Sequence, residues 1–308
     1  MKLAVLLVAL MTSLSGGLNE AHAGEELTLR VKGVLRSYYL HVPANLQPGA
    51  PLVFFLHGAS STGRDDTVRF GWRRKAETEG FIVVGPDAWP ILANGKPINT
   101  DGNPRVWNDD APYLTENVRD SDDTGFILAL IDEMARLHRI DRRRVYVAGF
   151  SSGGSMAYRL AQEIPNRIAA AVSAAGQFTE LKPRPSRGVP VMYYSGDADL
   201  LNPVAGGELP ARWGAMLKKE PHIDIVGHWQ RLNECPAAPV EIRDPTLLEY
   251  VEVTGPCRDG SEVRYVLVHG LHHDWPVDER ALGRTLSATN QAWNFFMRFQ
   301  LPAEPAGN

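Results

Sequence analysis

The segment "VYVAGFSSGGSMAYRLAQE" at residues 145–163 carries a serine between two glycines, in the pattern Gly-x-Ser-x-Gly at 149–153. The apolar run before the pattern predicts a buried strand, and apolar residues at helical spacing after it predict a helix. A chain that passes from strand to helix within this pattern must turn sharply, and glycine tolerates the crowding of such a turn. We therefore predict that Ser151 stands exposed at the carboxyl end of a strand, where it can act as a nucleophile.

Other apolar runs recur along the chain and alternate with helical patterns. The runs lie at 51–56, 81–86, 144–149, 189–196 and 263–270, and the clearest helical pattern lies at 120–139. Near-continuous apolar runs are typical of strands buried on both faces, and their alternation with helices favours a parallel sheet covered on both sides. The sequence therefore predicts the α/β class, with a doubly wound and mostly parallel sheet.

Two further regions lie outside this alternation. Residues 26–43 alternate apolar and polar positions around Lys32-Gly33, which predicts an N-terminal antiparallel hairpin. Residues from about 203 to 245 are less regular and predict an excursion over the edge of the sheet. Since no repeat or flexible linker divides the chain, residues 24–308 are predicted to form a single domain.

The overall composition is that of an ordinary globular protein. Hydrophobic residues make up 44%, charged residues 22%, and the formal net charge is -4. The chain has no basic excess that would favour nucleic acid or an anionic membrane surface as a partner. Composition thus predicts a soluble protein and gives no information on its oligomeric state.

The first 23 residues have the order of a secretory signal peptide. Lys2 is followed by the apolar run "LAVLLVALM", and a polar stretch ends in "AHA" at 21–23. The apolar part is too short to span a bilayer, and no cysteine near the cleavage site offers a lipid anchor. We expect a protein without a membrane anchor that is secreted or periplasmic, with a first buried helix as the alternative interpretation of this segment.

The chain contains only two cysteines, Cys235 and Cys257. In an exported protein such a pair is expected to form a disulfide bond, whereas two buried free thiols are the alternative. A disulfide would leave no cysteine available as a nucleophile.

A serine nucleophile needs a base, and the base needs an acid that fixes its tautomer. On a sheet of this kind the acid and then the base follow later strands. The segment "YYSGDADLLNP" supplies Asp197 and Asp199 as candidate acids after the run at 189–196. Both remain open at this point.

The base is expected in the loop after the last apolar run, and that loop is "VHGLHHDWP" at 268–276. His269 is close to the strand, where a structural histidine is the more common case. His272 and His273 remain as candidate bases.

The oxyanion formed on the attacked carbonyl needs two N–H donors. One donor is expected from the backbone of Ser152, next to the nucleophile, and the other from the loop after an early strand. In "FFLHGASSTG" the glycine at 58 allows a close backbone approach, and the N–H of Ala59 is the expected second donor. We interpret His57 as a structural residue that orients this loop.

Metal and cofactor chemistry have no matching motif. The histidine order H-x-x-H-H-D matches neither H-E-x-x-H nor H-x-H-x-D-H, and no glycine-rich phosphate or dinucleotide motif occurs. We expect no metal site and no cofactor.

Taken together, these motifs resemble the secreted polyhydroxybutyrate depolymerase and feruloyl esterase family of α/β-hydrolases, which is similar to carbohydrate esterase family 1. The segments that carry the resemblance are "PLVFFLHG", "AETEGFIVVGPDA", "VWND" at 106–109, "DDTGFILALID", "IDRRRVYVAGFSSGGSMAYRLA", "SGDAD" and "HDWP". The resemblance implies an α/β-hydrolase fold, Asp199 as the acid in G-x-x-D, His273 as the base in G-H-x-W-P, and a paired Cys235 and Cys257.

Two positions depart from the family pattern. Ala59 stands where the family often has cysteine, but only its backbone N–H is required for an oxyanion hole. His272 stands where the family usually has glycine, which places a second imidazole near the site. Together with Trp107 and Trp275, His272 is a candidate substrate-binding residue; core packing is the alternative for the two tryptophans.

The resemblance implies an exported serine carboxylic-ester hydrolase that works through an acyl-enzyme. Its substrates are expected to be feruloyl-type plant-wall esters or short hydroxyalkanoate esters, because no linker or substrate-binding module for solid polymer accompanies the domain. An acyltransferase on the same fold and a non-catalytic binding protein are the alternatives.

Overall fold

The computed structural model of the chain describes residues 24–92, 103–111, 114–210, 216–237, 239, 241–243, 249–277, 279–281 and 284–303. The predicted signal peptide at 1–23 lies outside these residues and stays a prediction. Within the described ranges, no helix has the length and apolar character needed to cross a membrane.

The described secondary structure alternates strands and helices for most of its length. The strands are β1 (Glu25–Val31), β2 (Val34–His41), β3 (Leu52–Leu56), β4 (Ile82–Pro86), β5 (Trp89–Pro90), β6 (Arg105–Val106), β7 (Val145–Phe150), β8 (Ala170–Ala174), β9 (Val191–Gly196), β10 (Gly207–Pro210), β11 (Met216–Lys219), β12 (Glu241–Arg243), β13 (Glu249–Thr254), β14 (Val263–Val268), β15 (Glu279–Ala281) and β16 (Arg284–Leu286). The helices are α1 (Gly63–Arg69), α2 (Trp72–Glu79), α3 (Glu116–Arg119), α4 (Asp123–His138), α5 (Ser152–Glu163), α6 (His222–Leu232) and α7 (Ala288–Phe296), with a short 3-10 turn at Arg258–Gly260.

Ten of these strands form one sheet in the order β1-β2-β4-β3-β7-β8-β9-β14-β13-β12. The run from β4 to β14 is parallel throughout, and the strands at both ends pair antiparallel. The predicted doubly wound, mostly parallel α/β sheet is confirmed.

The central strands are buried because helices cover both faces of the sheet. Every residue of β3, β4, β8 and β9 is buried, as the apolar runs predict. One face packs against apolar residues of α4, α5 and α6, and the other against those of α2 and α7. Two separate hydrophobic cores therefore hold the sheet from opposite sides.

The N-terminal hairpin forms as predicted. β1 and β2 pair antiparallel with Val31 opposite Val34, and the turn residues Lys32 and Gly33 both have positive φ, at 48° and 86°. This is the backbone that favours glycine in a two-residue hairpin turn. The hairpin is fixed to the body of the protein by Arg36, whose buried guanidinium lies 2.6 Å from the buried carboxylate of Asp123 at the start of α4.

The predicted excursion at 203–245 is only partly an excursion. β10 and β11 form a separate two-stranded hairpin. The helix that follows, α6, instead buries Ile225, Val226 and Trp229 in the main core, and β12 extends the central sheet. The sequence did not reveal that α6 belongs to the main core and β12 to the central sheet, because the apolar residues of this region are interrupted by polar ones.

The predicted disulfide joins Cys235 and Cys257, with an S–S distance of 2.04 Å. It links the chain just after α6 to the segment that precedes β14. The bond therefore holds the end of α6, which lies in the region between β9 and β14, next to the segment that leads into the sheet at β14.

Replacing both Cys235 and Cys257 with serine is expected to lower the free energy of unfolding by about 3 kcal/mol, because the cross-link restricts the unfolded chain. Urea denaturation of the variant and of the wild type measures the difference. The matched control is the variant itself with and without a reducing agent, which should not change its midpoint. An unchanged midpoint relative to oxidised wild type would contradict the expectation.

Candidate active site

The turn between β7 and α5 has the strained backbone that the glycine pattern predicts. Ser151 has φ 55° and ψ -120°, outside the regions that residues with a side chain usually adopt. A Cβ on Gly149 would lie 2.1 Å from the carbonyl oxygen of Gly153, and a Cβ on Gly153 would lie 2.1 Å from that of Leu56. Both glycines of the pattern are thus required by close backbone contacts, and they place Ser151 at the carboxyl edge of the sheet.

The serine turn is also tied to the neighbouring strand and to its own helix. The Ser151 N–H donates to the carbonyl of Ala174 at the end of β8, at 2.8 Å, and the Ser155 N–H donates to the Ser151 carbonyl at 3.1 Å. Ser152 is the first residue of α5, so its N–H has no partner one turn earlier in the helix. That N–H is placed where an anion can bind.

Asp199 and His273 are joined by a direct hydrogen bond. The His273 Nδ1 lies 2.7 Å from the Asp199 Oδ2, and the Asp199 side chain is buried. Its other oxygen accepts from the backbone N–H groups of Leu201 and Asn202. Burial raises the pKa of Asp199, but the hydrogen bond from His273 and the two N–H donors outweigh it and hold the pKa below its ordinary value. The carboxylate is therefore ionised and fixed.

The three histidines of the last loop all bind the segment 197–199 through Nδ1. His269 contacts the Asp197 carboxylate at 2.8 Å, His272 the carbonyl oxygen of Ala198 at 3.1 Å, and His273 the carboxylate of Asp199. In the described part of the chain, no group of three metal-binding side chains converges on one point. The histidines thus hold the loops after β9 and β14 together. His272 is exposed at this edge.

The structure brings Ser151, Asp199 and His273 to the same edge of the sheet. They follow β7, β9 and β14, which are parallel strands. The His273 ring packs against Phe150, the residue before the serine, with ring centroids 4.8 Å apart. Within the described ranges, no hydrogen bond joins the Ser151 hydroxyl to His273. Such contacts are often formed only when substrate is bound.

The loop after β3 is held by a buried histidine, as predicted for His57. The ring accepts from the Ala88 N–H through Nε2 at 3.0 Å, so Nδ1 carries the proton and donates to the Gly58 carbonyl at 2.7 Å. Burial lowers the pKa of His57. The Gly58 N–H in turn donates to the Asp66 carboxylate at 2.9 Å. The Ala59 N–H, by contrast, has no acceptor in the described part of the chain.

The two tryptophans considered as substrate-binding residues are both fully buried. The Trp107 indole N–H donates to the His57 carbonyl at 2.9 Å, and that of Trp275 donates to the Thr289 hydroxyl at 2.8 Å. Trp275 packs among the aromatic residues under the sheet. Their burial favours core packing over substrate contact, with Trp107 supporting the loop that carries Ala59.

Sequence reasoning missed the residues that follow Trp107. The Asn108 carbonyl and side-chain oxygens both accept from Arg159 of α5 at 2.8 Å, and the Asn108 N–H donates to Asp123. Asp109 is buried beside Ser155 of the same helix, and burial raises its pKa to about 6. The quoted motif "VWND" was the available signal. Its residues connect the loop after β3 to the helix that begins at the serine.

Comparison with known proteins is consistent with this geometry. No protein-family model matches the chain. The chain is 31% identical over 265 residues to "Putative esterase NocK" from Nocardia uniformis subsp. tsuyamanensis, covering 80% of this chain and 72% of that protein. It is 30% identical over 174 residues to the bifunctional acetylxylan esterase/xylanase XynS20E from Neocallimastix patriciarum, covering 56% of this chain but only 23% of that much longer protein.

Among solved structures, the acetyl xylan esterase from Aspergillus awamori superposes with a TM-score of 0.61 at 15% identity, covering 89% of this chain and 99% of that one. This likeness shows the α/β-hydrolase fold. Further relatives are named feruloyl esterase and poly(3-hydroxyalkanoate) depolymerase.

Fold and relatives together define an esterase of the α/β-hydrolase class. Within that class, the chain belongs to the polyhydroxybutyrate depolymerase and feruloyl esterase family of carboxylic-ester hydrolases.

Trp107→Phe is expected to lower kcat for a simple ester about tenfold, because it removes the hydrogen bond that holds the His57 carbonyl and the loop that carries Ala59. Trp275→Phe is the matched control, since it also removes one buried indole N–H, but one that donates to the Thr289 hydroxyl and not to this loop. Both variants should unfold at lower temperature, whereas only Trp107→Phe should lose turnover. Equal kcat losses in the two variants would contradict this role for Trp107.

Proposed function

We propose that this chain is an exported serine esterase in which Ser151, His273 and Asp199 form a catalytic triad. The observation that carries the proposal is the buried Asp199–His273 hydrogen bond at the same sheet edge as the strained serine turn. An isolated buried carboxylate costs free energy. In a catalytic triad, such a carboxylate is paired with the histidine that activates the nucleophile.

In the first half of the reaction, His273 accepts the Ser151 proton on Nε2 while the serine oxygen attacks the ester carbonyl. The N–H groups of Ala59 and Ser152 stabilise the oxyanion of the tetrahedral intermediate. As the intermediate collapses, the bond to the alcohol oxygen breaks and His273 returns the proton to the leaving alcohol. The product is an acyl-enzyme on Ser151.

In the second half, His273 takes a proton from water, and the resulting hydroxide attacks the acyl carbonyl. Collapse of this second intermediate releases the carboxylic acid, and the proton returns to Ser151. Asp199 stays ionised throughout: it keeps the proton of neutral His273 on Nδ1 and stabilises the imidazolium that forms in each step.

The proposed substrates are feruloyl-type or short hydroxyalkanoate esters. The relatives named feruloyl esterase and poly(3-hydroxyalkanoate) depolymerase support this choice. The relative named acetylxylan esterase/xylanase supports an ester of the plant wall. The signal-like residues 1–23 and the Cys235–Cys257 disulfide support export to the periplasm or the medium. No nucleic acid or membrane partner is proposed.

Ser151→Ala is expected to lower kcat on 4-nitrophenyl acetate by several orders of magnitude, because triad members act as a unit. In the wild type, a burst of nitrophenol equal to the enzyme concentration should precede steady turnover wherever deacylation is the slower step. A serine-directed phosphonate should abolish the activity, whereas a chelator should leave it unchanged. Full activity in Ser151→Ala would refute the nucleophile, and loss of activity with chelator would point to a metal.

Asp199→Asn is expected to lower kcat by about 10³ to 10⁴, because an amide favours the wrong tautomer of His273. The matched control is Asp197→Asn, two residues away, which loses the contact to His269 and should change kcat only a few-fold. A parallel pair, His273→Ala and His272→Ala, tests the base. A severe effect in Asp197→Asn or His272→Ala, with a mild one in its partner, would reassign that role.

A further inference from the structure

A groove lies between the segment that follows β8 and strand β11, and Asp109 and α6 also contribute to its lining. Its volume is about 480 Å³. We call it the Asp109 groove, and its lining residues include Asp109, Gln177, Phe178, Met216, Lys218 and His228.

Asp109 lines this groove and is held in place by hydrogen bonds. It keeps only 3% of its surface exposed. Its carboxylate accepts from the Ala111 N–H at 3.2 Å and from the hydroxyl of Ser155. Ser155 stands one helical turn after Ser151 and donates its own N–H to the Ser151 carbonyl. The carboxylate is therefore held within one turn of the proposed nucleophile.

Gln177 forms the wall that joins the groove to the acid loop. Its backbone N–H donates to the Ser155 hydroxyl oxygen at 2.9 Å, and its side-chain amide donates to Asn202 at 2.7 Å. The Asn202 N–H donates to Asp199. Both ends of the Gln177 side chain are in use, because its oxygen accepts from the Glu220 N–H. Gln177 thus builds the wall, and Asp109 places a buried carboxylate in the same lining.

Phe178 and Met216 add apolar groups to the lining, beside the polar Thr179, Glu180 and Lys218. The Phe178 ring stacks on the His228 ring with centroids 4.6 Å apart and an interplanar angle of 13°. Met216 adds an apolar side chain that is 58% exposed. A lining that combines apolar side chains with one buried carboxylate suits a small ligand that has an apolar face and a hydroxyl group.

The charges around Asp109 do not neutralise it by direct contact. Within the described ranges, no cation lies within the 4.0 Å of an ion pair with Asp109. Lys219 of β11 faces it from farther away and also faces Asp199; burial lowers the pKa of this lysine. Desolvation outweighs the hydrogen bonds and the Lys219 charge, and it raises the pKa of Asp109 to about 6. A buried carboxylate without an ion pair gains from a further hydrogen-bond donor.

We propose that Asp109 is a specificity-determining residue that accepts a hydrogen bond from a free hydroxyl group of the substrate, so that the enzyme prefers esters with a hydroxyl near the scissile bond. This proposal rests on the serine esterase function proposed above. The hydroxyl belongs to the acyl part, as in a 3-hydroxyalkanoate, or to the alcohol part, as in a sugar.

Two matched substrate pairs distinguish these sources. Methyl 3-hydroxybutyrate against methyl butyrate tests the acyl side, and a monoacetylated methyl xyloside against cyclohexyl acetate tests the alcohol side. Wild-type kcat/KM should favour the hydroxylated member in one of the two pairs. Asp109→Asn should reduce that preference about tenfold, since an amide is a weaker acceptor than a carboxylate. Activity on 4-nitrophenyl acetate should change little.

Asp110→Asn is the matched control, because Asp110 is the exposed neighbour of Asp109 and does not line the Asp109 groove. It should keep the wild-type preference. Circular dichroism and thermal melting establish that both variants are folded.

The wild type provides a second test that needs no variant. Since Asp109 ionises as the pH rises through about 6, the preference for the hydroxylated ester should increase between pH 5 and pH 7. Effects of pH on catalytic steps shared by both esters of a pair cancel in their ratio, because kcat/KM reports the free enzyme. Glu180, Lys218, Lys219, Glu220 and His228 are the other titratable groups that face or line the groove. His228→Gln therefore serves as a control and should leave the pH dependence in place.

The proposal is overturned if neither pair shows a preference, if Asp109→Asn keeps it, or if it does not change with pH. It is also overturned if folded Asp109→Asn loses turnover on all esters alike, since Asp109 would then support the loop that carries Ala59. Failure of the esterase function itself is recognised separately, by a Ser151→Ala variant that retains wild-type turnover.

Discussion

The strained backbone of Ser151 is the constraint on which the rest of the site depends. A residue with a side chain at φ 55° and ψ -120° costs about 1 to 3 kcal/mol, and it persists only where the surroundings leave no alternative. Those surroundings are the close contacts at Gly149 and Gly153 and the hydrogen bond to Ala174. All of them come from the packing of α5 on three parallel strands. The sheet therefore supplies the energy that holds Ser151 in this backbone conformation at its carboxyl edge.

The same sheet explains why Asp199 and His273 meet without a long connecting network. β9 and β14 are adjacent and parallel, with Gly196 opposite Val268, so their following loops start side by side. The pairing then continues as side-chain contacts from Asp197 to His269 and from Asp199 to His273. Two histidine–carboxylate pairs share one loop segment. Only the second is buried, and burial makes a hydrogen-bonded charge effective.

Sequence alone predicted the central strands that are rich in branched apolar residues, the hairpin and the serine turn, because each has a local signal. It missed β8, whose sequence "AAVSA" has little intrinsic strand preference and becomes a strand by pairing with β7 and β9 on either side. It also left Trp107 and Trp275 undecided between pocket and core. Burial of a side chain and the raised pKa of Asp109 arise from contacts between residues far apart in the chain, which local patterns do not encode.

The proposed triad and the Asp109 groove are built on different supports. The triad follows strands of the central sheet, whereas one wall of the groove comes from β11 and α6, inserted between β9 and β14. That insertion is anchored twice, by Trp229 in the core and by the disulfide at Cys235. Neither Trp229 nor Cys235 lines the groove, so residues on its inserted wall can change while both anchors stay in place. Asp109 does not lie on that inserted wall: it follows β6 in the chain and is bound to α5 through the Ser155 hydroxyl.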